Sequence, residues 1–176
     1  LYINNTNAFV LTGDKPLMRL AKDSKLYGTL VMTVERKGIK KAICDFDTIN
    51  SFYAMGQMKW ELADESIKGG KITITVLPVS SGVGMALAIK TSGLLPSNKL
   101  SWDFRGEKIY EGQHLSWIFD VMGQPELLSW GVEEDEEIIV SGDLVSGNVE
   151  QYLVLKADEN GTIIQMNNAE KEFLSG

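Results

Sequence analysis

The sequence predicts an all-β fold, an antiparallel β-sandwich with few short helices. Three observations carry that expectation. Strand-length segments that alternate apolar and polar residues recur along the chain, and alternation marks a sheet with one buried face. Gly, Ser and Asn turn signals separate these segments at short intervals. No repeat of 20–50 residues is present, so the strands do not belong to a solenoid or propeller. About ten to twelve strands are expected, which favours two large antiparallel sheets packed face to face. The chain has 176 residues, enough for one domain with a sizeable core. Residues 1–176 read as a single β-sandwich domain without an internal linker.

The elements follow in order. Phe9-Val10-Leu11-Thr12 is extended and leads into Gly13-Asp14-Lys15-Pro16, a turn in which proline presets φ. Residues 17–20 resume in extended form. Residues 29–35 form a strand opened by Gly28, with Leu30, Met32 and Val34 on one face. Arg36-Lys37-Gly38 is a tight connection, and residues 39–44 are the returning strand of a hairpin. Asp45-Phe46-Asp47 then gives way to a loop through Asn50 and Ser51 to Tyr53.

The clearest stretch runs from Gly56 to Gly106. Residues 58–62, 71–77, 85–90 and 99–105 each alternate. Lys68-Gly69-Gly70, Ser80-Ser81-Gly82 and Ser92-Gly93 punctuate them. The reading is a four-stranded antiparallel meander, with a long polar-tipped loop at Leu94-Leu95-Pro96-Ser97-Asn98. Beyond it, residues 114–121 alternate, and Gln124-Pro125-Glu126-Leu127-Leu128 suits one helical turn with proline near its start. Ile138-Ile139-Val140 is a strand, and Gly142-Asp143 a bend. Residues 152–155 and 162–166 form a hairpin across Asp158-Glu159-Asn160-Gly161, because Asn-Gly tolerates positive φ. Asn168 is a candidate cap for a short C-terminal helix.

Composition excludes several functions. A net charge of −7 and a pI near 4.8 argue against nucleic acid, which needs a basic face. The apolar runs are only a few residues long, so no helix is expected to span a membrane. Cys44 is the only cysteine and His114 the only histidine, which rules out a disulfide framework, a cysteine-based zinc site and a two-histidine metal site within the chain. Neither a metal nor a cofactor is expected. Gly82-Val83-Gly84 lacks the third glycine of a dinucleotide fingerprint and precedes a strand rather than a helix.

The candidate functional residues each have an ordinary structural explanation. Trp60 shares parity with Met58 and Leu62, and Trp102 with Leu100 and Phe104; these are core signatures. Trp117 also lies in an apolar row. Trp130, between Ser129 and Gly131 near a loop, is the best candidate platform for a sugar ring, with Tyr53 and Tyr110 as further aromatics. Asp45 and Asp47, two apart at a strand end, would lie on one side of an extended chain and could hold a cation or act as an acid/base pair; capping a turn is the commoner role. Glu133-Glu134-Asp135-Glu136-Glu137 lacks the spacing and glycine of an EF-hand and reads as a solvated loop. His114 could serve as a general base, but no G-x-S-x-G elbow accompanies it, and an edge or surface position is the default.

The succession Gly56-Gln57-Met58-Lys59-Trp60-Glu61-Leu62-Ala63-Asp64, then Val83-Gly84-Met85-Ala86, then Lys99-Leu100-Ser101-Trp102-Asp103-Phe104-Arg105-Gly106 resembles a domain of unknown function. That domain forms the front part of large bacterial glycoside-hydrolase-like proteins linked to polysaccharide breakdown. The opening residues 4–16 are similar too, and the likeness covers most of the chain to about Gly106. It implies a β-supersandwich of galactose-mutarotase-like type, with the catalytic carboxylates on an (α/α) barrel that follows. No catalytic residue is therefore carried over to this chain. It also implies export to the periplasm or cell surface. A chain that begins at Leu1 suits a processed form or an excised piece of a longer protein.

The expected function is a non-catalytic β-sandwich domain of a carbohydrate-active protein, packed against a catalytic domain and leaving an apolar patch exposed when isolated. The alternative is a free-standing glycan-binding module, which needs two exposed aromatics in one plane. A small hydrolase or isomerase using His114 is the third reading.

Overall fold

A computed structural model describes residues 2–3, 9–11, 13–22, 25–54, 56–79, 82–106, 137–158 and 163–165. The first strands are β1 (Tyr2–Ile3), β2 (Phe9–Leu11), β3 (Met18–Lys22), β4 (Lys25–Arg36) and β5 (Ile39–Ala42). A 3-10 turn, Ile43–Asp45, leads to β6 (Thr48–Ala54) and β7 (Gln57–Ala63). A second, Glu65–Ile67, leads to β8 (Lys71–Pro78), β9 (Val83–Ser92) and β10 (Lys99–Gly106). Then come β11 (Glu137–Leu144), β12 (Val149–Ala157) and β13 (Ile163–Gln165).

Two antiparallel sheets result, so the all-β sandwich is confirmed. The first has the order β1-β2-β3-β4-β10-β11, with β5 also paired to β4; the second has the order β13-β12-β9-β8-β7-β6. Alternation builds the core between them. Leu30, Met32 and Val34 of β4 and Leu100, Trp102 and Phe104 of β10 face Met58, Trp60 and Leu62 of β7 and Ile72, Ile74 and Val76 of β8. Trp60 is 0% and Trp102 2% exposed, as their parity predicts. The Trp60 indole N–H is satisfied by the Gly13 carbonyl at 3.1 Å.

The four-stranded meander needs correction. β7, β8 and β9 are consecutive neighbours, but β10 lies in the other sheet, between β4 and β11. Leu94 and Asn98, both buried, anchor the crossing loop. Alternation shows that β10 buries one face without showing from which side of the sandwich it does so. Two further expectations change. Residues 50–53 are not a loop but part of β6, which is exposed on both faces and shows no alternation. Gly142 is not at a bend but inside β11, opposite Trp102; a Cβ there would meet the indole at 2.9–3.0 Å. The tight turn after β4 is confirmed: Arg36 pairs with Ile39, and Lys37 and Gly38 both have positive φ, the backbone of a two-residue hairpin. The β12–β13 hairpin forms as well, joining Ala157 to Ile163.

A polar latch closes one end of the sandwich. Asp64 sits just past β7 and caps the second 3-10 turn, accepting from the Ser66 N–H at 2.8 Å. Its other oxygen accepts from the Asp47 N–H at 3.0 Å and from Lys41 Nζ at 2.5 Å. Lys41 lies on β5 of the opposite sheet, so the ion pair ties the two sheets together. The Ser66 carbonyl in turn accepts from Asn98 Nδ2 at 3.1 Å and from Arg36 at 3.4 Å.

Candidate functional site

A depression lies on the outer face of the first sheet, and strand pairing explains it. One edge of β4 is shared end to end by two strands. β3 pairs with it as far as Leu30, and β5 only from Thr33 onward. Val31 and Met32 fall in the interval. Pro16 and Leu17 border it on one side and the 3-10 turn Ile43–Asp45 on the other. Ile43 and Phe46 are buried anchors that hold that turn against the core, leaving Cys44 half-buried and Asp45 exposed.

The cleft has a volume of about 460 Å³. Val31 gives it an apolar floor. Thr33, Lys40, Asp45, Ser101, Asp103 and Arg105 give it hydroxyl, cationic and carboxylate groups. Asp103 and Arg105, two apart on β10, point the same way and pair at 3.0 Å. Cys44 also lines the cleft. Burial, and then the negative charge of Asp45, push its thiol pKa up, so it is protonated at neutral pH and a poor nucleophile. The arrangement can donate to and accept from a polyhydroxylated surface.

The two aspartates singled out from the sequence part company. Asp45 closes the 3-10 turn and lines this cleft. Asp47 lies beyond Phe46, pairs with Lys41 at 3.2 Å and borders a second, shallower depression of about 430 Å³ beside Asp64 and Lys71. They do not share a strand side, because the chain turns between them. Tyr53 stands on β6, far along the other sheet, and is 53% exposed. Its neighbour Phe52 is 48% exposed, but adjacent strand residues face opposite ways, so the two do not make one platform. Trp130, Tyr110, His114, Trp117 and the acidic residues 133–136 lie outside the described residues. Among the described residues no cluster of three or more potential metal ligands is present, and no helix is long and apolar enough to cross a membrane.

Sequence reasoning passed over Asp64, Asn98 and Arg105 as individual side chains. Asp64 had a local signal, since Asp-Glu-Ser before an apolar residue suits a capped turn. The long-range bonds of Lys41 to Asp64 and of Asn98 to the Ser66 carbonyl had none, because those partners are distant in sequence.

Fold and cleft together define a two-sheet antiparallel β-sandwich with a polar depression on one outer face. Comparison with protein-family models, with curated proteins and with solved structures finds no match.

Proposed function

We propose that this chain is a non-catalytic β-sandwich domain of a carbohydrate-active protein of the periplasm or cell surface, packing against a catalytic domain in polysaccharide breakdown. The observation that supports this most is the set of exposed aliphatic residues along β11, the outermost strand of the first sheet among the described residues. Ile138 and Ile139 of β11 are 52% and 46% exposed, and Val145 just beyond is 63% exposed. Exposed aliphatic residues at both ends of one outermost strand suit a docking edge rather than a free surface. The polar cleft fits the same reading, as a wall offered to a glycan held mainly by the partner domain.

The test is affinity-gel retardation of the purified chain on a panel of soluble polysaccharides, with release of reducing sugar measured alongside. The expected result is neither retardation nor hydrolysis, with a dye for exposed apolar surface binding the parent and binding less to an I138K/I139K variant that melts at the parent's temperature. Clear retardation by one glycan class would overturn the reading in favour of a glycan-binding module. Hydrolysis by the chain alone would overturn both.

A further inference from the structure

β6 is an edge strand among the described residues. It pairs with β7 on one side, and among the described residues with no strand on the other. Its seven residues, Thr-Ile-Asn-Ser-Phe-Tyr-Ala, include no charge, no proline and no glycine. Charged residues and proline are devices that keep sheet edges from joining, and β6 carries neither. Six of its residues are exposed and Ile49 is half-buried.

We infer that two copies of this chain associate through β6, antiparallel, into one continuous sheet with a two-fold axis at Ser51. The symmetry follows from strand geometry. A two-fold axis perpendicular to the sheet keeps each side chain on its own face, so paired residues must have the same parity and the axis must pass through a residue. Ser51 is the middle of the seven, so only an axis there pairs the whole strand with itself.

That register is self-complementary. Ser51 meets Ser51, a small residue at the closest approach. Ile49 meets Tyr53 twice, an aliphatic–aromatic pair of the kind that stabilises sheets. Asn50 meets Phe52 twice. On this outer face Phe52 neighbours Lys59 and Asn50 neighbours Glu61 within each copy. Across the axis a row therefore runs from Lys59 through Phe52 to Asn50 and Glu61 of the second copy, with opposite charges at its ends and no like charges facing. Lys59 already lies over the Phe52 ring at 4.8 Å, which holds that ring on the face where the row forms. A single strand pair buries less area than a permanent dimer, so the association is weak and concentration-dependent. The inference does not rest on the proposed glycan context.

The experiment is sedimentation equilibrium of the full chain from about 1 µM to about 500 µM, a span covering weak dimers. It is combined with oxidative cross-linking of S51C and T48C against the parent, whose Cys44 sets the background. The expected result is a rise toward twice the monomer mass, efficient dimer cross-linking by S51C, and background cross-linking by T48C, which the register places far from its own copy. N50K/F52K, which sets like charges opposite each other, should remain monomeric with an unchanged melting curve. A parent that stays monomeric throughout, a dimer that survives N50K/F52K, or equal cross-linking by T48C and S51C would overturn the inference.

Discussion

Replacing Asp64 with alanine removes the acceptor at the centre of the polar latch. Two backbone donors lose their partner, the Ser66 N–H at 2.8 Å and the Asp47 N–H at 3.0 Å. Each costs about 1–2 kcal/mol when left unmade in a region closed to water. The Asp64 carboxylate is buried, at 8% exposure, while Asp47 is exposed, so its N–H sits at the low end of that range. Lys41 is partly open to solvent and keeps Asp47, so its loss adds little. The sum is about 3 kcal/mol, or about 6–12 °C in the melting temperature of a domain this size. Asp64→Asn keeps an acceptor oxygen and should lose about half as much. The pH dependence is the sharper assay. Burial alone would raise the Asp64 carboxyl pKa, but the hydrogen bonds from Lys41, Ser66 and Asp47 outweigh it and hold the group well below the usual carboxylate range. A depressed folded pKa means the stabilisation is complete above the unfolded value and is lost as pH falls toward the folded one. The gap between parent and Asp64→Asn should therefore shrink by about 1 kcal/mol from pH 6 to pH 3 in urea titrations. Lys41 works at the other end of the scale. The hydrogen bond to Asp64 raises its pKa, so its contribution is complete at neutral pH and is lost only as strongly alkaline pH passes through the folded value. An Asp64→Ala chain that melts within about 1 °C of the parent would refute the inter-sheet role. So would a parent-to-Asn gap that does not change with pH.

Three other outcomes follow from the packing. Gly28→Ala should cost about 3 kcal/mol or more by thermal melting, because the new Cβ overlaps the Arg105 carbonyl oxygen and meets the Phe104 ring at 2.7 Å, at a backbone φ of +152°. Asn98→Ala should cost about 2–3 kcal/mol in urea titration, since Asn98 accepts from the Leu95 N–H at 3.0 Å and donates to the Ser66 carbonyl at 3.1 Å from a 1% exposed position. Cys44 should react with a thiol-specific reagent at pH 8 more slowly than a small free thiol, and faster as pH rises, because its thiol is held protonated; reaction at pH 7 as fast as the free thiol would contradict that.

What the sequence made legible here was whichever information a strand carries in its own residues. Alternation in residues 71–77 located β8, and the parity of Trp60 and Trp102 assigned both to the core; β9 does cover residues 85–90, but it is buried on both faces, Ala86 and Ala88 included, rather than on one. Sheet membership is different in kind. The buried faces of β9 and β10 meet the same core from opposite sides, and nothing in either strand says which side it occupies. The information sits in the crossing loop, where Leu94 and Asn98 are buried although the segment reads as a polar tip. β6 failed for the complementary reason, since a strand exposed on both faces has no alternation to detect. The cleft was illegible for a third reason. It arises because β3 and β5 share one edge of β4 and stop short of each other, a property of three strands at once. Asp45 entered it through the 3-10 turn that separates it from Asp47, and the same turn brings the Asp47 N–H to Asp64. One local departure from extended backbone thus both brings Asp45 to the candidate site and brings the Asp47 N–H to the latch. Substitutions at Ile43 or Phe46, the anchors of that turn, should therefore disturb cleft and stability together, whereas changes at Asp103 or Arg105 should alter the cleft alone.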